Sequence, residues 1–356
     1  SCTVFKKNLI NNSSEIERKV QNLDYRYSSL LAVEKTEKEK NRHLYIPRIR
    51  DQIIFKIMHQ DIINSAKKSN INLKISYPSS VLKSFKSDVL NFKNPIIIRT
   101  DIKNFYGSIP KTDVINEAIS LNPTFQTKYL LDQFKNVKAR YSTIMTSSND
   151  FKVNGLPLGV SLSSSLSELW AIKIDRFLSK FNFYRYVDDI LIISKNHTEA
   201  KLILNDFISF LKTIDLNLSK QKTNISNLDN GIFWLGLQHF NKRSIVQKNK
   251  VEKWFKLFLN KKKYFSNQIN KTNESLQKQF LFNQFIEEII NEINGKTSSR
   301  IIWYSNADNL EIWKDFDKKI HSLIKSILRQ SNASYSNDFP SVYRKIKMIK
   351  NRTPNS

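Results

Sequence analysis

The chain has 356 residues, 58 of them Lys or Arg against 32 Asp or Glu, for a formal net charge of +26. This excess predicts an anionic partner, nucleic acid before a membrane surface, because no apolar run reaches the length of a spanning helix and no signal-peptide pattern opens the chain. The lone cysteine, Cys2, excludes an intrachain disulfide and a cysteine-based zinc site.

The elements follow in order. Ser14 and Glu17 have capping-box spacing and predict a helix through about Leu23. Residues 27–47 read as a hairpin around a charged turn, and 50–68 carry apolar residues at helical spacing. "NPIIIRTDIKNFYGSIP" (94–110) begins as a buried strand punctuated by Pro95 and Pro110, with Thr112 expected to cap the next helix. "GLPLGVSLSSSLSELWAIKIDRFLSKF" (155–181) is a Gly/Pro turn entering a helix, with capping-box spacing at Ser165 and Glu168. A helix over about 198–214, a hairpin-like "GIFWLGLQHF" (231–240) and a helical region from about 248 to 330 complete the pattern. The basic C-terminal residues are expected to be mobile.

Two carboxylates, Asp188 and Asp189, lie inside "FYRYVDDILIIS" (183–194), a run whose aromatic and β-branched residues favour burial. Burying adjacent carboxylates without partners is costly. One resolution is a hairpin turn at Asp188–Asp189 that leaves both in water, although no glycine is present to favour it. The other is a divalent cation, since Mg²⁺ takes one or two carboxylates plus phosphate oxygens. Asp101, which follows the apolar run Ile96–Ile98, supplies a third acid. Alone it reads as a strand-end acid; with the pair it forms a set able to hold two cations about 4 Å apart for phosphoryl transfer.

These motifs together resemble a reverse transcriptase. "DIKNFYGSI", "GLPLG" and "YVDD" stand in the order of its palm motifs. "LNLSKQKT" resembles the next palm motif, "FWLGL" the primer-grip hairpin, and "KNRHLYIPRIRDQI" the basic fingers segment. The forms "IPRIRDQI" and "GLPLGVSLSSSLSEL" are most similar to bacterial defence-associated, abortive-infection reverse transcriptases. Many family members carry Gln after the Leu-Pro pair, where this chain has Leu158; that departure bears on templating rather than on metal chemistry.

The resemblance implies an α+β right-hand polymerase: fingers and an antiparallel palm sheet flanked by helices over 1–245, a helical thumb over 246–335 and a basic tail over 336–356. Asp101, Asp188 and Asp189, with the Ile102 carbonyl, would hold two Mg²⁺, with Mn²⁺ as a substitute. Lys35 and Arg42 would reach the triphosphate, with Arg48 and Arg50 in a similar role. Tyr106 would lie under the nucleotide sugar. Gly155, Pro157 and Gly159 would border the nucleotide. Lys222 would meet the leaving pyrophosphate, either protonating it or offsetting its charge. Phe233, Trp234, Leu235 and Gly236 would form the primer grip, and Lys261, Lys262 and Lys263 would contact backbone phosphates. Trp254, Phe255, Trp303, Tyr304 and Trp313 read as thumb core.

The expected activity is RNA-directed DNA synthesis from dNTPs on an RNA template, in antiviral defence, in a bacterial cytoplasm and without a membrane partner. A catalytically silent nucleic-acid scaffold and an RNA-dependent RNA polymerase are the alternatives. A dedicated noncoding RNA, a protein partner or homo-oligomer, protein priming and template-independent synthesis all stay open.

Overall fold

The computed structural model describes residues 8–37, 40–75, 78–141, 150–241, 243–294 and 299–352. It divides into two compact units, Ser1–Phe85 with Ile96–Ile225, and Lys86–Pro95 with Ser226–Ser356. Among the described residues, no helix is long and apolar enough to cross a membrane.

The first unit opens with α1 (Leu9–Gln21). The helix starts well before Ser14, so the capping-box reading fails. Ser13 instead turns its hydroxyl back to the Leu9 and Ile10 carbonyls at 2.9 Å, the local bond by which mid-helix serines satisfy themselves. The expected hairpin forms from β1 (Leu30–Glu37) and β2 (Lys40–Ile46), with Lys35 opposite Arg42. After α2 (Ile49–Lys68) and α3 (Pro78–Val89) comes β3 (Ile96–Asp101), then the short α4 (Phe105–Ser108), α5 (Lys111–Ser120) and α6 (Phe125–Phe134). β4 (Lys138–Tyr141) and β5 (Phe151–Lys152) join the first hairpin in a sheet of order β2-β1-β4-β5, with β1 and β4 parallel.

The long helix α7 (Ser161–Leu178) begins four residues before Ser165. Ser165 bonds the Leu162 carbonyl at 3.0 Å inside the helix rather than capping it. β6 (Asn182–Tyr186) and β7 (Asp189–Ser194) follow as a hairpin, then α8 (His197–Thr213), capped by the Asn196 side chain on the Glu199 N–H. β8 (Asn224–Asn227) completes a second sheet of order β6-β7-β3-β8. The β6–β7 and β7–β3 pairs are antiparallel. Ile96–Ile98 and Ile190–Ile193 are buried there, as their continuous β-branched runs require of a strand covered on both faces. α2 packs on α7, and Phe55, Met58 and Ile62 join Leu166 and Ile174 in one core.

Thr112 does not cap α5. The extended Pro110 precedes the helix, which starts at Lys111 and leaves Thr112 inside the first turn. Lys111 itself is buried and donates to the Val153 carbonyl at 2.6 Å. Desolvation, with a smaller push from the Lys152 charge, lowers its pKa from 10.5 to about 8. Between these values the unfolded chain holds a proton that the folded chain has released, so this residue makes stability rise with pH from about 8 towards 10.5. Lys111→Met should flatten that rise in denaturant titrations at pH 7.5 and pH 10. An unchanged pH slope would contradict the assignment.

In the second unit, β9 (Ile232–Trp234), β10 (Leu237–Phe240) and β11 (Arg243–Ile245) form a three-stranded antiparallel sheet. Helices α9 (Lys248–Ile269), α10 (Ser275–Asn294), α11 (Ser299–Tyr304), α12 (Glu311–Ser331) and α13 (Val342–Arg352) follow. Trp254, Tyr304, Trp313 and Phe316 interlock, with Trp254 stacked on Phe316 at 4.9 Å, so these aromatics are core. Of the C-terminal residues expected to be mobile, 343–352 belong to α13, and 353–356 lie outside the described residues. Asp317 of α12, buried, accepts from the Ser341 hydroxyl at 2.6 Å and the Val342 N–H at 2.9 Å and so fixes the start of that helix.

Candidate active site

The register of β3 on β7 sets Asp101 opposite Asp189, and Tyr186 pairs with Asp189 across β6–β7. The hairpin turn is therefore Val187–Asp188, one residue earlier than the turn considered from sequence. Val187 sits at φ +56°, a left-handed conformation that a β-branched residue adopts only when its surroundings impose it. The Ile102 N–H donates to the Asp188 carbonyl at 3.1 Å and ties the turn to the end of β3.

Asp101 and Asp188 line a cleft of about 750 Å³, shared with Ile102, Tyr106, Leu158 and Lys222. Arg42, His43, Tyr45 and Asn154 also line it; of these only Arg42 was anticipated. Asp189 lies beside the cleft, with Arg99 Nε at 3.7 Å from its Oδ1. Burial, then the Asp101 charge, raises the Asp188 pKa above the usual carboxylate value. Burial pushes Asp189 up to about 6, the Arg99 charge offsetting part of the rise that Asp101 and Asp188 add to. Two carboxylates raised by burial and by the acidic charges beside them mark a site short of positive charge.

Part of that charge comes from Lys222, whose ammonium donates to Asp101 Oδ2. Among the described residues no three His, Cys, Asp or Glu side chains stand as a ready-made metal cage. The donor chemistry nonetheless suits a hard cation: acidic oxygens at one strand end, with the buried Asp189 Oδ1 making no hydrogen bond. Asp101, Asp188 and Asp189 are thus the residues that would hold one.

Tyr106 is half-buried, with burial raising its hydroxyl pKa, whereas Phe105 is 2% exposed and belongs to the core. The two rings meet edge-on at 5.8 Å. The Tyr106 carbonyl accepts from the Leu156 N–H at 2.8 Å, which fastens the Gly/Pro loop to α4. Gly155, at φ +65°, allows this approach: a Cβ there would stand 2.3 Å from the Gly107 carbonyl oxygen. At Gly159, φ +101°, a Cβ would stand 2.9 Å from the Tyr45 carbonyl oxygen. Both glycines let the loop lie against the protein's own backbone, and the Tyr45 N–H donates to the Leu158 carbonyl at 2.8 Å. Pro157 is buried, its carbonyl accepting from the Ser163 hydroxyl at 2.8 Å.

Other expected residues lie elsewhere. Arg48 and Arg50 line a separate cavity of about 740 Å³ near α1 and the start of α2. Arg48 enters that helix in extended conformation, and Arg50 donates to the Ser28 hydroxyl at 3.0 Å. Lys35 is exposed on β1 and is not among the residues that line the cleft. In the second unit, Leu235 and Gly236, both at positive φ, form the β9–β10 turn. Trp234 is fully buried, and Phe233 is half-buried beneath the Lys250 ammonium at 5.3 Å. Lys261 pairs with Glu288 of α10 at 2.5 Å, and Lys263 is exposed.

Residues 33–239 match the family model described as reverse transcriptase (RNA-dependent DNA polymerase). A search of curated proteins finds no match. Among solved structures, telomerase from Candida albicans, in complex with a fragment of telomeric RNA, is similar with TM-score 0.50 and 12% identity over 92% of this chain. Apo telomerase from Candida tropicalis is similar with TM-score 0.52 and 13% identity over 91%. The chain spans 64% and 63% of the lengths of those two proteins, and at such identity the likeness is one of fold, the α+β fingers, palm and thumb. The family match covers more than half of the chain, which therefore belongs to the reverse transcriptase family, the RNA-directed DNA polymerases.

Proposed function

We propose that the chain extends a DNA 3′ end with deoxynucleotides, copying RNA, and that it serves defence against phage in a bacterial cytoplasm. The observation that carries the catalytic part is the meeting of Asp101, Asp188 and Asp189 at one end of the β3–β7 pair, beside a cleft that also holds Arg42 and Tyr106. Asp101, Asp188 and Asp189 would hold two Mg²⁺ or Mn²⁺ ions, whose charge would activate the attacking oxygen and offset that on the leaving one. The carboxylates hold that charge in place. Arg42 engages the triphosphate by charge-assisted hydrogen bonds. Lys222, now on Asp101, is within the cleft to offset charge on the departing pyrophosphate. The defence role rests on the forms of "IPRIRDQI" and "GLPLGVSLSSSLSEL" alone.

One observation favours a second reading of the template requirement. Leu156 and Leu158 line the cleft, so the loop offers apolar surface where many relatives place an amide. Synthesis would then lean on a dedicated noncoding RNA, a protein primer or no template. Sequencing the product beside the nucleic acid that copurifies decides it. Complementarity between the two supports RNA copying; product unrelated to any copurified RNA overturns it.

The net charge of +26 leads to a further expectation. Binding to nucleic acid should be dominated by released counterions. With about 6–10 phosphates neutralised, affinity should fall about 10³- to 10⁵-fold between 50 and 200 mM salt. Fluorescence anisotropy with a labelled primer–template checks this; a flat response points away from nucleic acid.

A further inference from the structure

Next to the turn that carries Asp188 lies a buried ionic network that the proposed chemistry does not use. Arg185, on β6, is 3% exposed, and its partner Glu168 on α7 is 4% exposed. Its Nε donates to Asp175 Oδ1 at 2.8 Å. Nη2 donates to Asp175 Oδ2 and to Glu168 Oε2, both at 2.9 Å. Nη1 donates to Glu168 Oε1 and to the Val187 carbonyl, both at 3.1 Å. A guanidinium has five N–H donors, and these bonds engage all of them. Lys74 Nζ, 3.3 Å from Asp175 Oδ2, balances the second acid.

Stability alone does not account for this arrangement. A buried ion network of this kind is often no more stabilising than apolar residues of the same volume, because each charge has lost its water. What the network adds is direction. One arm of the fork ends on the carbonyl of Val187, the residue held at φ +56° immediately before Asp188. A β-branched residue in that conformation costs on the order of 1–3 kcal/mol and stays there only under constraint. The constraint comes from two sides: Arg185 on the Val187 carbonyl, and the Ile102 N–H on the Asp188 carbonyl.

We propose that Arg185 is a positioning residue for the acid pair: Glu168 aims its guanidinium at the Val187 carbonyl, which fixes the turn that presents Asp188 to a bound cation. The inference rests on the cation-site reading above. Lysine at this position keeps the charge and loses the planar fork, so it cannot hold both acids and the carbonyl at once. Asp175→Asn weakens the network on its far side and leaves the Glu168–Nη1–Val187 arm intact. Val187→Gly removes the strain, because glycine adopts positive φ freely.

The test is Mn²⁺ titration followed by electron paramagnetic resonance on the purified chain without nucleotide, with thermal unfolding run in parallel. Arg185→Lys should weaken Mn²⁺ binding by about 10- to 100-fold, the range typical of lost outer-shell support. Adding Val187→Gly should restore much of it. Asp175→Asn should lower the melting temperature yet leave Mn²⁺ affinity unchanged, which a merely structural role would not distinguish. Should Arg185→Lys fail to fold, Glu168→Gln carries the same expectation in smaller measure. Wild-type affinity in a folded Arg185→Lys or Glu168→Gln variant, or an equal loss in Asp175→Asn, overturns the proposal. If the wild-type chain binds no Mn²⁺, or binds it equally well as Asp188→Asn, the cation-site reading itself falls and takes this proposal with it.

Discussion

Asp188→Asn should abolish nucleotide incorporation while leaving thermal stability at or above that of the wild type. The side chain keeps its shape, so the Val187–Asp188 turn and the bond from Ile102 to its carbonyl persist. What is lost is a charge that burial and the neighbouring Asp101 make costly in the folded chain. Removing that charge relieves repulsion, as is common where a fold trades stability for function. Activity should fall by about 10³-fold or more, since cation stabilisation of the reacting oxygens is worth several kcal/mol and about 1.4 kcal/mol is tenfold in rate. Single-nucleotide incorporation and a melting curve on one preparation check both halves. Near-normal incorporation by the variant would remove Asp188 from the chemistry.

The second large effect concerns the choice of sugar. Tyr106 lines the cleft with Asp101 and Asp188, and its backbone is pinned by Leu156. On the proposed reading, a ring held there would exclude a 2′-hydroxyl by a clash rather than by an added attraction. Tyr106→Ala should lower the ratio of dNTP to NTP incorporation efficiency on the order of 10- to 200-fold, as for other small steric differences in a shaped pocket. Phe105→Ala is the control. That ring is buried in the core, so its loss should destabilise the chain by about 3–5 kcal/mol and leave the ratio in surviving enzyme alone. An unchanged ratio in Tyr106→Ala, or an equal change in Phe105→Ala, would take Tyr106 out of the nucleotide site.

Local pattern was enough for much of this. The aliphatic runs at 96–98 and 190–193 announced the central strands, and the β1–β2 hairpin and α2 followed from periodicity. The three acids were legible because a carboxylate in an apolar run is a conflict that needs resolving. The failures came where a local signature has two uses. Ser-x-x-Glu marks a helix start at Ser14 and Ser165 only if the serine is not already inside a helix, bonding backwards, as helical serines do. Other features depend on partners far along the chain. The parallel pairing of β1 with β4, the bond from Asp317 to the start of α13, and the fork from Arg185 to Glu168 all join residues that no sequence window brings together. The basic segment reads as one surface in sequence, whereas Arg42 lines the cleft and Arg48 and Arg50 line another cavity.

The most direct measurement is incorporation of labelled nucleotides by the purified chain on an RNA template with a DNA primer, in Mg²⁺, with and without EDTA. The account predicts incorporation of dNTPs well above NTPs, lost on chelation and restored by added Mg²⁺ or Mn²⁺. A chain that binds the primer–template and incorporates nothing would be a silent scaffold, and one that prefers NTPs would be an RNA polymerase; either result would contradict the account.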